Sequence, residues 1–211
     1  MMSRILFFVC TGLLLSACAK EDAAQTAEVI ESTEKGAAAV ASVPEPPEAE
    51  SILPPKVGDT APSWTGAHIL DGSTISFPEV LNESPAVLVF WATWCPYCKA
   101  FMPYTQDIQQ DYTAEGVQIL TFNAKERGRG DPRAYIESLG FPMVPVADAD
   151  EIASLYGVEY IPGLMVVDGT GQIVYQRGWT DLPAGQKVAE QWDLEVRRAL
   201  DNSLGLAESE G

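Results

Sequence analysis

Two cysteines stand two residues apart in WATWCPYCKAFMP, residues 91–103, with Pro96 between them and Pro103 five residues after the second. Thiols this close can cycle between dithiol and disulfide, hold a soft metal, or contribute to a zinc site. Zinc is disfavoured because a structural site takes four ligands, and the chain offers one C-x-x-C and a single histidine, His68. No metal is expected. The meaning of the pair depends on compartment, since disulfides persist outside the cytosol and are reduced within it.

The start of the chain answers for the compartment. Met1 to Arg4 carries one positive charge, and Ile5 to Leu15 (ILFFVCTGLLL) is an apolar run of secretory length, too short to span a bilayer. It ends in Leu15-Ser16-Ala17-Cys18, the pattern of a bacterial lipobox. Residues 1–17 read as a lipoprotein signal peptide and Cys18 as the lipidated N-terminus. Three acyl chains exceed the two signals that stable anchoring needs. Ala19 follows that cysteine rather than the Asp associated with inner-membrane retention, which favours the outer membrane. Cys10 leaves with the leader and Cys18 carries lipid, so Cys95 and Cys98 remain as the working thiols of an extracytoplasmic, periplasmic domain.

Residues 18–55 read as a disordered acidic and proline-rich tether. Between 20 and 50 there are eight Asp/Glu against two Lys and no aromatic residue, too little apolar surface to offset the entropy of ordering. Residues 56–201 suit one domain, with 202–211 a flexible tail. Of the total charge of −17, −6 lies in the tether and +1 in the leader, which leaves −12 for the rest. Such a surface argues against nucleic acid as a partner.

The elements that must position the thiols follow from the pattern. Trp64–Leu70 and Thr74–Phe77 flank an Asp-Gly turn and read as a hairpin. Ala86–Ala92 (AVLVFWA) is a continuous apolar run, a strand buried on both faces. A helix starts near Cys95 with Pro96 in its first turn. Val117–Asn123 reads as a second buried strand, Asp131-Pro132 opens a helix to about Leu139, and Glu151–Tyr156 is a short one. Gly163–Asp168 and Gln172–Arg177 are strands joined by D-G-T-G, and a final helix carries an apolar stripe from Val188 to Leu200. The fold class is α/β, with a central mixed sheet and helices on both faces.

A thiol at a helix N-terminus meets unpaired N–H groups and the positive end of the dipole, which favour its thiolate. Cys95 holds that place and reads as the exposed nucleophile, with Cys98, one turn on, as the core-facing resolving thiol. Far downstream, YGVEYIP puts Ile161-Pro162 directly before a buried strand. A trans proline at a strand start is the simpler reading. A cis bond would turn the Ile161 backbone outward, free to pair with an extended polypeptide beside the thiols.

W-C-x-x-C-K, Pro103, YGVEYIP and VVDGTGQIVYQRG together resemble the thioredoxin fold. The opening VGDTAPSW…LDGSTISF and the added βα-type segment 124–147 are similar to the TlpA/ResA/CcmG group of membrane-tethered thioredoxin-like (redoxin) proteins. The resemblance covers about residues 56–201. It implies Cys95 as nucleophile, Cys98 as resolver, and a substrate site formed by Trp94, Pro96, Tyr97 and a cis-proline loop at Ile161-Pro162. It implies no cofactor beyond the Cys95–Cys98 disulfide. The implied partners are protein disulfides, a membrane electron-donor protein, and the membrane itself through the lipid anchor.

There are departures. Val89 stands where thioredoxins bury an Asp, Phe101 where ResA-like proteins carry a Glu, and Gly163 where a Thr often follows the cis-proline. The acid that assists proton transfer is thus unassigned. Glu126 in NAKERGRGD is a substitute, though a solvated loop charge is the simpler reading, as it is for Arg127, Arg129 and Arg133. The expected activity is reduction of protein disulfides in the bacterial envelope, of the kind used in cytochrome c maturation or in preparing metal-site cysteines. A disulfide oxidase or isomerase is the alternative within the enzymes, and a Cu(I)-binding module using the two thiolates the alternative outside them. Peroxidase chemistry is disfavoured, because Thr93 and Cys95 do not fall in a P-x-x-x-T-x-x-C frame.

Overall fold

The computed structural model describes residues 53–181 and 185–206. The leader, Cys18 and most of the expected tether lie outside these residues. In chain order the elements are β1 (Trp64–Ala67), β2 (Thr74–Phe77), a 3₁₀ turn (Glu79–Leu81), β3 (Ala86–Trp91), α1 (Pro96–Asp111) and β4 (Gln118–Asn123). Then come α2 (Pro132–Leu139), β5 (Val144–Val146), α3 (Asp150–Leu155), β6 (Gly163–Val167), β7 (Ile173–Gln176) and α4 (Val188–Leu204).

Short polar side chains set the turns. Asp71 accepts hydrogen bonds from the Ser73 N–H and hydroxyl, at 2.9 and 2.6 Å, and Gly72 takes the positive φ that the β1–β2 turn requires. Asp168 does the same between β6 and β7, accepting from the Thr170 N–H and hydroxyl and from the Gln172 N–H. Asp131 caps α2 by accepting from the Ala134 N–H at 3.0 Å, with Pro132 as the first helical residue.

The central sheet runs β5-β4-β3-β6-β7. β3 pairs parallel to β4 and antiparallel to β6, so the strand that leads into the cysteines is the middle one. Every residue of β3 is buried, as its unbroken apolar sequence requires. Period-two alternation divides the core. Leu88 and Phe90 pack on one face with Trp64 and Phe77 of the hairpin and Ile152 and Ala153 of α3. Val87, Val89 and Trp91 pack on the other with Phe101, Met102 and Ile108 of α1, Ile136 of α2, and Trp192, Val196 and Leu200 of α4. Helices therefore cover both faces. Both sheet edges are also closed: Ile69 donates to the Pro145 carbonyl beside β5, and Gly58 to the Ile173 carbonyl beside β7.

Several boundaries differ from expectation, β1 among them, which ends at Ala67 rather than Leu70. β5 was not foreseen because Pro145 sits at its middle; the ring costs only one N–H, and the strand still pairs in register with β4. α4 continues to Leu204, past the boundary drawn at 201, and closes at Gly205 with φ +69°. Pro55, placed in the tether, is buried, and Pro54 packs so closely on Gly157 that a Cβ there would overlap it.

Candidate active site

Cys95 and Cys98 are joined by a disulfide at the start of α1. β3 ends at Trp91, and three residues later the chain turns into the helix, so the pair stands where the sheet's central strand meets a helix N-terminus. The Cys98 N–H donates to Cys95 Sγ at 3.1 Å, so the sulfur itself is the helix cap. A negative charge on that sulfur after reduction would keep the same donor.

Cys95 is not the exposed thiol its position suggested: it is 2% accessible and Cys98 1%. The cover comes from the far side of the sequence. Ile161-Pro162 is cis, and the Ile161 carbonyl oxygen stands 3.8 Å from Cys95 Sγ. Arg177 fixes that loop, its Nε donating to the Pro162 carbonyl at 2.8 Å. Tyr97, Tyr160, Trp179 and Trp192 complete a groove of about 360 Å³ beside Ile161 and Pro162. Trp179 is 80% exposed. Of the tryptophans, the sequence assigns only Trp94 to the site; Trp179, between the end of β7 and α4, carries no motif that would add it. Pro96 serves as the first residue of α1, and Tyr97 is exposed at the groove rim.

The opposite flank is built on Glu126. Glu126, a substitute for the unassigned acid whose simpler reading is a solvated loop charge, is tied into the site by three hydrogen bonds. Its Oε1 accepts from the Thr93 N–H at 2.5 Å and from Asn123 Nδ2 at 2.8 Å, and its Oε2 accepts from the Thr93 hydroxyl at 2.8 Å. Burial pushes this carboxyl up, but the bonds from Thr93 and Asn123 outweigh it and hold the group below the ordinary glutamate range. Glu126 thus joins the loop after β4 to the residue two before Cys95. The Trp94 indole donates to the Lys125 carbonyl at 2.7 Å, and Lys125 N–H donates to Asp150 of α3 at 2.8 Å. Arg127 Cζ stands over the Trp94 ring, 3.6 Å from its centroid. Gly130 passes so close that a Cβ would lie on the Thr93 side chain. His68 stays in the hairpin turn, its Nδ1 accepting from the Leu70 N–H.

Gly163, which departs from the expected Thr, has a packing reason. A Cβ there would come within 2.7 Å of Val158 Cγ1 and 3.2 Å of Phe90 Cβ, so a side chain would push on β3. The assembled site can do two-electron thiol–disulfide chemistry: a sulfur pair, a backbone donor at one sulfur, and a backbone carbonyl 3.8 Å from it.

A sequence profile of the AhpC/TSA family matches residues 57–176. A thiol-disulfide oxidoreductase ResA of Geobacillus thermodenitrificans (strain NG80-2) is 30% identical over 123 residues, covering 56% of this chain and 66% of that protein. The chain thus spans just under two thirds of that relative's length. A thiol:disulfide interchange protein DsbE of Tatumella citrea is 31% identical over 139 residues, covering 65% of this chain and 69% of the relative. Among solved structures, the thioredoxin domain of a thiol-disulfide oxidoreductase from Bacteroides vulgatus aligns with a TM-score of 0.54 at 20% identity, covering 70% of this chain and 98% of that domain. The fold is the thioredoxin fold.

Proposed function

Because the chain belongs to the AhpC/TSA family, we propose that it is a thiol-disulfide oxidoreductase of the ResA/DsbE kind, reducing protein disulfides in the bacterial envelope. The observation that carries this reading is the Cys95–Cys98 disulfide at the N-terminus of α1, with the Ile161 carbonyl 3.8 Å from Cys95 Sγ. In the reduced protein the Cys95 thiolate attacks one sulfur of a substrate disulfide. That bond breaks, the departing substrate sulfur takes a proton, and a mixed disulfide joins Cys95 to the substrate. Cys98 then gives up its proton and attacks Cys95 Sγ, which closes the intramolecular disulfide and releases the second substrate thiol. Two electrons pass to the substrate. The Ile161-Pro162 loop and the aromatic groove beside it give an extended segment of substrate a place to lie.

Peroxidase chemistry, also found among redoxins, fits less well: the Thr93 hydroxyl is held by Glu126 and Cys95 is bonded to Cys98. The disulfide-oxidase reading draws support from three cations, Lys99, Arg127 and Arg129, around a cleft on the Trp94 side, since positive charge stabilises a thiolate. The test of function is catalytic reduction of insulin disulfides by the reduced protein, run beside a Cu(I) titration. Turnover with a dithiol donor supports the reading. Stoichiometric Cu(I) binding with no turnover would replace it with metal carriage.

The physiological setting is proposed in the same terms. Residues 1–17 form a lipoprotein signal, Cys18 the lipidated N-terminus and the segment behind it a tether, so the domain works at the periplasmic side of a membrane, the outer one favoured. A reducing protein in an oxidising compartment needs recharging, so a membrane electron donor is a second partner, and cytochrome c maturation or metal-site cysteine reduction is the use. Cys18→Ser is expected to leave the domain folded and active but move it from the membrane to the soluble fraction. Fractionation that finds the variant still membrane-bound would remove the anchor.

A further inference from the structure

We infer that the cleft on the Trp94 side of the disulfide is a docking site for an acidic segment of the substrate polypeptide. This rests on the reading that the protein reduces protein disulfides, and names the class of substrate it prefers.

The cleft measures about 740 Å³, and Lys99, Arg127, Arg129 and one carboxylate, Asp131, line it beside Thr93, Trp94 and Tyr135. Thr93 and Trp94 lead directly into Cys95, and Lys99 directly follows Cys98. The cleft therefore adjoins the segment that carries the redox pair. Three of the lining side chains are cations, in a chain whose formal charge is −17. Two cations among the described residues are taken up by carboxylates, Arg133 by Glu137 and Arg197 by Asp111 and Asp193. Among the described residues, Lys99, Arg127 and Arg129 enter no salt bridge.

The two nearby carboxylates are already engaged. Glu126 is taken by Thr93 and Asn123, and Asp131 accepts from the Ala134 N–H at the start of α2. Aromatic rings place the cations instead. Arg127 lies 3.6 Å over Trp94, and Lys99 Nζ stands 5.7 Å from the centre of Tyr135. A guanidinium stacked on a ring keeps its planar edge free for bidentate binding of a carboxylate. A concave, aromatic-walled set of unpaired cations beside the reacting sulfur suits Asp and Glu side chains near a substrate cysteine, with local attraction where the rest of the surface repels. An anionic membrane surface offers the same charge, but it is flat and carries no disulfide to the sulfur, so the polypeptide is favoured.

The test uses the reduced full chain and two peptides with the same internal disulfide, one flanked by glutamates and one by glutamines. Each rate is divided by that peptide's rate with free dithiothreitol, which removes its intrinsic reactivity. The acidic peptide is expected to be reduced about tenfold faster at low ionic strength, the lower end of electrostatic steering. Its advantage should shrink to about twofold or less near 0.5 M salt, where screening acts within a few ångströms. Lys99→Gln/Arg129→Gln should bring the ratio of the two rates close to one, and Lys99→Glu/Arg129→Glu should invert it. Both positions are exposed, and circular dichroism checks the fold. Equal rates in the wild type, or a ratio the substitutions leave unchanged, would overturn the inference. Co-sedimentation with phosphatidylglycerol vesicles that the substitutions abolish, with the peptide ratio unmoved, would assign the cleft to the membrane instead. If neither peptide is reduced, the parent reading of function fails and this one falls with it.

Discussion

Cys95→Ser will leave the domain folded and bring catalysed reduction of insulin disulfides down to the rate without protein, a loss on the order of 10³-fold or more, the scale of removing a nucleophile outright. Serine fits the space, since Cys95 is buried and its sulfur accepts a single N–H that a hydroxyl oxygen can also accept. What it lacks is a thiolate near neutral pH and a sulfur that can form the mixed disulfide. The partner substitution behaves differently. Cys98→Ser keeps the attacking sulfur and loses the one that resolves, so it should fail in turnover and accumulate a covalent adduct with substrate through Cys95, readable by mass spectrometry. If Cys98→Ser forms no adduct and Cys95→Ser does, the assignment of the two roles is reversed.

Glu126→Ala is expected to lower the folding free energy by about 2–4 kcal/mol. It strands three donors, the Thr93 N–H, the Thr93 hydroxyl and Asn123 Nδ2, and each unpaired buried group costs about 1–3 kcal/mol. Glu126 is only half-buried, so water replaces part of that loss. Glu126→Gln separates shape from charge. It keeps an acceptor oxygen for the Thr93 N–H and Asn123 Nδ2 and turns an amide N–H toward the Thr93 hydroxyl, which can accept it, so a smaller cost follows. The pH dependence has a definite sign. The folded carboxyl lies below its ordinary range, so its contribution is fully present above the unfolded value of about 4.3. That contribution is lost as the pH falls through the folded value. The stability gap between wild type and Glu126→Gln, measured in urea, should therefore narrow between about pH 6 and about pH 3. A gap constant over that range would mean that the charge of Glu126 does not stabilise the loop.

The parts of the molecule legible in the sequence were those whose cause is local. AVLVFW reads as a doubly buried strand because every residue is apolar, and it is the central β3. Asp71-Gly72, Asp131-Pro132 and Asp168 mark turns and caps through their own short side chains, and the structure uses each of them so. What escaped depends on residues distant in the chain. Glu126 looked like one charge in NAKERGRGD because its partner, Thr93, lies 33 positions away. Cys95 looked exposed because its cover comes from Ile161, 66 positions on. Arg177 and Trp179 sit in a strand end and a loop with no motif of their own, and gain meaning only where β7 brings them against Pro162. β5 was hidden by Pro145, which argues against a strand everywhere except where its missing N–H does no harm.

The direction of electron flow is the account's central claim. Pro96-Tyr97 brings no cation between the sulfurs, the Cys98 N–H is the one hydrogen-bond donor to Cys95 Sγ among the described residues, and the cleft cations face solvent, where screening weakens them. The thiolate is therefore favoured only modestly, and a strongly oxidising pair requires a strongly stabilised one. The decisive measurement is the reduction potential of the Cys95–Cys98 couple, obtained by equilibrating the purified domain with glutathione and dithiothreitol buffers. The expected value lies nearer to thioredoxin's, about −270 mV, than to that of a strongly oxidising member of the fold, about −120 mV. A potential above about −170 mV, more oxidising than protein disulfide isomerase, would contradict it and make the protein a disulfide donor.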